Sequence, residues 1–278
     1  SSERAADFIR GRGHDESWFV YLAYNAPHTP IMAPEDRLLK YDHIEDPSRR
    51  TFAAMIDSLD DGIGRVLKAV EDQGQESNTL IWFLSDNGAV EANIGLWNGS
   101  RNDPFSGAKG DVFEGGIRVP FIVSWEGVIT SGQVLDDPAS SLDILPTTLA
   151  AVGQAHVPAI HAGHNLLPWL SGRASCPNDK LFWSWSGDYN AVRIGCFKEK
   201  RNGRASSAVD GTPIPAHNYV DLLANPHELG GEHTLQDASL RQSLSFELDS
   251  WLEQVRREAV AMTPDARGDV PGIVGELE

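Results

Sequence analysis

Two apolar runs stand out along the chain. Residues 18–24 read WFVYLAY and residues 79–84 read TLIWFL. The first predicts a short aromatic-rich strand, and the second a strand buried on both faces. Between them, Phe52, Met55, Ile56, Leu59, Ile63, Val66, Leu67 and Val70 recur at helical spacing, and Gly74 closes that helix. Residues 119–125 (VPFIVSW) predict another strand. Residues 141–152 (SLDILPTTLAAV) predict a helix with Ser140 or Ser141 near its N-cap and Gly153 as its stop. Strand, loop, helix, strand is the alternation of an α/β fold with a mostly parallel sheet covered by helices.

The pattern changes at a Gly/Ser/Pro/Asn-rich link over residues 171–179. Beyond it, KLFWSWSG, AVRIGCFKEK and NYVDLLA predict antiparallel strands, and residues 235–257 predict an amphipathic helix. The expected organisation is an α/β unit over residues 1–172 and a smaller α+β subdomain, built on an antiparallel sheet, over residues 173–278.

Composition narrows the function. Hydrophobic residues make up 41% of the 278, enough for a sizeable core. No apolar run reaches membrane-spanning length, and the polar N-terminal stretch SSERAADFIRGRGHDESW does not read as a signal peptide. A net charge of −17 argues against nucleic acid as a partner. Cys176 and Cys196 are too few for a disulfide framework or a zinc site, and form one bridge or none.

The candidate chemistry lies in three loops. The run at 79–84 breaks into Asp86-Asn87-Gly88, which reads either as a turn or as oxygen ligands for a hard cation, Ca²⁺ or Mg²⁺. His28 stands between Pro27 and Pro30, in a loop that cannot be helical. Lys109 lies in SGAKGDVFEGGIRVP, at the end of a long irregular stretch over residues 92–116; the spacing is not that of a phosphate-binding P-loop. Asn98-Gly99-Ser100 also fits a glycosylation sequon, a triplet common by chance. Taken singly, these residues have ordinary readings: a turn, a hydrogen-bonded loop histidine, a solvated lysine.

Taken together, the blocks APHTP, SDNG, GAKGDVFEGGIRVP, LDILPTTLAAVG, GHNLLPWLSG and NYVDLLANPHELG, in this order, resemble the formylglycine-dependent sulfatases of the alkaline phosphatase superfamily. The resemblance covers nearly the whole chain and implies an incomplete alkaline phosphatase-like fold. It implies that Asp86 and Asn87 ligate Ca²⁺, with Mg²⁺ the second choice. Lys109 then contacts the substrate sulfate, and His28 sits beside the sulfate and the leaving-group oxygen. These roles suit sulfate-ester cleavage, which moves negative charge onto the equatorial and leaving oxygens. Glu114 to Pro120 reads as scaffold, with Gly115 and Gly116 in a tight bend and Arg118 in an ion pair. Asp60-Asp61-Gly62 mimics a metal-binding pair, but lies within the long helix and reads, with Asp57, as structural or solvated.

The chain holds no C/S-x-P-S-R, the motif whose Cys or Ser becomes formylglycine. It is therefore expected to be the C-terminal part of a sulfatase, inactive alone, with the N-terminal half needed to complete the site. The resemblance implies a sulfate-ester substrate and a periplasmic, lysosomal or extracellular location. The loop GLWNGSRNDPFSG, with Trp97, Asn98, Arg101 and Asn102, suits a sugar, and it resembles sulfatases acting on N-acetylgalactosamine-6-sulfate or related glycans; Asn98 and Arg101 are the expected substrate contacts. The alternatives are a phosphate or phosphonate monoester hydrolase, since the same residues serve phosphate, and a non-catalytic fragment or protein that binds sulfate or glycan.

Overall fold

The computed structural model describes residues 1–13, 15–90, 98–154, 162–185, 189–201, 205–206, 213–230 and 234–262. Its first half begins with helices α1 (Ser2–Arg10), α2 (Glu35–Lys40) and α3 (Pro47–Asp72). The start of α3 is set by Asp46, whose side chain accepts from the Arg49 amide at 2.7 Å, and by Pro47 in the first turn. Ala6 and Ile9 of α1 pack with Ala69 and Val70 of α3, and Trp18 and Val20 cover that cluster. Arg37 of α2 pairs with Asp57 and Asp61, and Lys40 also reaches Asp57. Asp57 and Asp61 thus join α2 to α3, in keeping with a structural reading.

Residues 18–24 depart from expectation. Phe19 and Tyr21 are 75% and 84% exposed, whereas Trp18, Val20 and Leu22 are partly covered. The alternation is that of a strand, yet the segment forms no ladder among the described residues.

Strand β1 (Ile81–Leu84) pairs with β2 (Phe121–Ser124), and the pairing is antiparallel, with Leu84 opposite Phe121. The parallel sheet expected here is therefore absent among the described residues. Nor is β1 buried on both faces. Trp82 and Val123 pack on Leu166, Trp169 and Leu170, while Phe83 and Ile122, opposite each other, are 37% and 57% exposed. An apolar run reports how many apolar side chains a strand carries, not what covers each face.

A single helical turn, α4 (Glu114–Ile117), precedes β2. A 3-10 turn at Ser141–Asp143 then leads into α5 (Ile144–Ala151), and α6 (Leu167–Leu170) follows. A capping box between Ser140 and Asp143 starts the α5 segment, and Gly153 follows its end at φ +76°, as the sequence indicates.

The second half is a four-stranded antiparallel sheet of β3 (Lys180–Trp185), β4 (Tyr189–Ile194), β5 (Phe197–Arg201) and, after the short pair β6 (Ala205–Ser206) and β7 (Pro213–Ile214), β8 (Asn218–Asp221). Residues 191–200, one run in the sequence, fold as a hairpin turning at Gly195 and Cys196, with Gly195 at φ +56°. One sheet face packs on α7 (Ala238–Met262), where Leu244 and Leu248 meet Val192 and Trp251 stacks on Phe182 at 5.1 Å. The other face carries Trp183, Lys198 and Lys200 toward the first half of the chain. Both cysteines are free. No helix among the described residues is long and apolar enough to cross a membrane.

Candidate active site

The antiparallel pairing decides where the loops go. The end of β1 lies beside the start of β2, and the Ser85 amide donates to Pro120 O at 3.2 Å. The segment between them, residues 86–119, therefore leaves and returns at one edge. That holds Asp86, Asn87 and Lys109 on one side of the sheet by a route other than parallel strands.

The two arms of this segment touch backbone to backbone. The Lys109 amide donates to Ala89 O at 2.9 Å, and the Gly88 amide to Gly116 O at 2.9 Å. Asn102 bridges the arms: its Oδ1 accepts from the Ala89 amide at 2.7 Å, and its Nδ2 donates to Ala89 O and Gly107 O, both at 3.0 Å. Such proximity requires a residue without a side chain. A Cβ on Gly88 would lie 1.8 Å from Gly115 O, so the glycine of SDNG is there for close approach rather than for turn flexibility.

Asp86 is exposed, and its carboxylate makes no hydrogen bond or ion pair among the described residues. Asn87 donates through Nδ2 to Gly88 O at 2.9 Å, leaving Oδ1 without a partner among them. These are hard oxygen donors of the kind calcium takes. Among the described residues, no cluster of three or more His, Cys, Asp or Glu could hold a metal ion. The pair fits one edge of a calcium site rather than a complete one.

Lys109 is exposed, and its ammonium has no partner among the described residues; the same holds for Arg101. His28 is exposed, and its ring Nδ1 lies 2.8 Å from Thr29 O, so Nδ1–H donates there. Asn98 is buried and fully engaged. Its Nδ2 donates to Pro27 O at 3.1 Å, and its Oδ1 accepts from the Ser100 amide and hydroxyl. It therefore ties the His28 loop to the 98–100 segment, which Arg49 also holds through Gly99 O at 2.9 Å. A buried carboxamide with both ends bonded is also a poor glycosylation acceptor. Trp97 lies outside the described residues.

The second half of the chain grips the lysine loop from behind. Ser106 Oγ donates to His227 O at 2.7 Å, and His227 Nδ1 to Pro104 O at 2.6 Å. The Glu114 amide donates to Glu228 Oε2 at 2.5 Å. At the centre, Lys198, with no exposed surface, pairs with Glu114 at 2.8 Å and Glu228 at 2.9 Å. Burial pulls the Lys198 ammonium down, but the two carboxylates outweigh it and hold the pKa above the ordinary lysine value. Burial pushes the Glu228 carboxyl up. It acts on Glu114 too, but there Lys198 prevails and the carboxyl stays low. Next to them, Lys200 stands 3.8 Å from the Phe113 ring centroid, and burial pushes it down to about 8. Because its folded pKa lies below its ordinary 10.5, Lys200 makes the fold more stable as pH rises from about 8 to 10.5.

The sequence did not single out Lys198, and Glu228 entered only as part of the block NYVDLLANPHELG, with no role of its own. FKEKR reads as a solvated strand end, and only the alternation of Lys198 and Lys200 on one face hinted otherwise. Arg118 does pair with Glu114, at 3.8 Å, and its guanidinium also stands over Phe105.

This chain belongs to the sulfatase family: the family model matches residues 2–154. It is 32% identical to human N-acetylgalactosamine-6-sulfatase over 275 residues, covering 92% of this chain and 49% of that protein. It is 32% identical to human steryl-sulfatase over 195 residues, covering 68% of this chain and 32% of that protein. In three dimensions it resembles the crystal structure of Ps i-CgsB in complex with k-i-k-neocarrahexaose. There the TM-score is 0.75 at 27% identity, covering 94% of this chain and 59% of that one. The chain thus spans about half the length of the N-acetylgalactosamine-6-sulfatases it matches.

Proposed function

We propose that this chain forms one wall of a sulfatase active site that hydrolyses a sulfate ester on a glycan. The observation that carries the reading is the Lys109 amide bonded to Ala89 O, which brings the backbone of the lysine loop against the segment that follows Asp86 and Asn87, in a chain of this family. A lysine and a metal-binding pair side by side are what an anionic ester with developing negative charge needs. The names of its relatives extend the reading to sugars: an N-acetylgalactosamine-6-sulfatase, and a structure holding a neocarrahexaose.

In this reading Lys109 binds the sulfate oxygens and Arg101 adds a second cation at the mouth. His28 holds a proton at Nε2 for the leaving oxygen; since Nδ1 already donates to Thr29 O, it does so as imidazolium. Asn98 contributes by fixing the His28 loop. Asp86 and Asn87 supply oxygens to calcium, which when bound withdraws charge from the sulfate. The nucleophile, a formylglycine, comes from residues outside this chain, since no C/S-x-P-S-R stands within it. The exposed Phe19, Tyr21 and Ile122 belong on this reading to the surface that meets those residues.

Two results are expected of the chain alone. It gives no turnover of an aryl sulfate with calcium present, and calorimetry finds calcium affinity no tighter than about micromolar, because two protein residues leave most of six or more positions to water. Metal-dependent hydrolysis abolished by Lys109→Ala, or sub-micromolar calcium affinity, contradicts the division of the site proposed here.

A further inference from the structure

We propose that Trp185 is an aromatic platform for the sugar ring whose sulfate Lys109 binds; this deepens the functional reading above and rests on it. Trp185 ends β3 and lies two residues beyond Trp183, on the sheet face turned toward the first half of the chain. Trp183 is partly buried in that contact, near Lys198. Trp185 runs past it and is 58% exposed.

Its position is specific. A Cβ placed on Gly110 would lie 3.8 Å from Trp185 Nε1, so the indole stands against the residue that follows Lys109. Gly110, at φ +85°, puts no side chain between the indole and the lysine loop. The indole N–H makes no hydrogen bond, and the ring joins no aromatic or cation–π pair, among the described residues. Packing therefore does not explain a large exposed tryptophan at this place.

The chemistry that explains it is a ring with apolar C–H faces carrying an anionic group. The indole offers a flat apolar surface and one donor, and Lys109 next to it offers the cation. A sulfated pyranose has both halves of this complement, whereas inorganic sulfate uses only the lysine.

The test is calorimetric titration of the chain with N-acetylgalactosamine 6-sulfate and with inorganic sulfate, using wild type, Trp185→Ala, Trp185→Phe and Lys109→Ala. Trp185→Ala is expected to weaken the sulfated sugar roughly three- to tenfold and leave inorganic sulfate unchanged. Trp185→Phe recovers most of the loss, and Lys109→Ala weakens both ligands. If Lys109→Ala weakens both while Trp185→Ala binds the sugar like wild type, or weakens both ligands equally, the platform is overturned and the sulfate site stands. If wild type binds neither ligand, or Lys109→Ala changes neither, the sulfate site itself falls and the platform with it.

Discussion

Lys198→Met is expected to lower the stability of the chain by about 3–5 kcal/mol, the range found when one partner of a buried ion pair is removed. Methionine keeps most of the stem volume, so the loss reports charge. Glu114 and Glu228 would then face each other buried with no cation between them, although the Glu114 amide still reaches Glu228 Oε2. Glu228 is already held at φ +55°, in the left-handed region, which costs a non-glycine residue about 1 kcal/mol or more. Urea unfolding monitored by tryptophan fluorescence measures the effect. Adding Glu228→Gln to Lys198→Met removes one unpaired charge and is expected to return part of the loss. A midpoint for Lys198→Met equal to wild type contradicts the role given to this cluster.

Gly88→Ala is the second large effect. The added methyl meets Gly115 O at 1.8 Å and Gly116 Cα at 3.1 Å, so no side-chain rotation relieves the clash and the two backbones must separate. The expected loss is about 3 kcal/mol, at the upper end for overpacking. Amide exchange should speed up at Lys109, whose N–H bond to Ala89 O depends on the same approach. Gly64→Ala is the control: nothing lies within 4 Å of its Cβ position on α3, and a gain of about 0.5–1 kcal/mol is expected there. Wild-type stability and exchange in Gly88→Ala would show that the arms are not held as described.

Local signals in the sequence were reliable where one residue decides the outcome. The Ser140 cap, the stop at Gly153 and the apolar face of α7 needed nothing beyond neighbouring residues. α3 starts ahead of Phe52, the first position of the apolar repeat, because Asp46-Pro47, a cap followed by a first-turn proline, precedes that repeat. Strand partnership was not legible. The run at 81–84 and the run at 121–124 carry the same signal whether paired parallel or antiparallel, and only their contacts separate the two. The candidate site was legible as loops carrying particular residue types, through the order of its motifs. What supports those loops was not: a buried Lys198 on a strand reading FKEKR looks like surface, because period and composition cannot reveal two carboxylates arriving from 84 residues upstream and from the segment after β8. Asn98 and Asn102 look alike in sequence, as polar loop residues, yet both are structural ties.

The central claim is that Lys109 and the Asp86-Asn87 loop face one sulfate-sized ligand. Nuclear magnetic resonance measures this directly, by following backbone amides as N-acetylgalactosamine 6-sulfate is added to the chain with calcium present. The largest shifts are expected at residues 86–89 and 107–111, saturating together and disappearing in Lys109→Ala. Shifts centred elsewhere, or none at these two segments up to the solubility of the sugar, would contradict it.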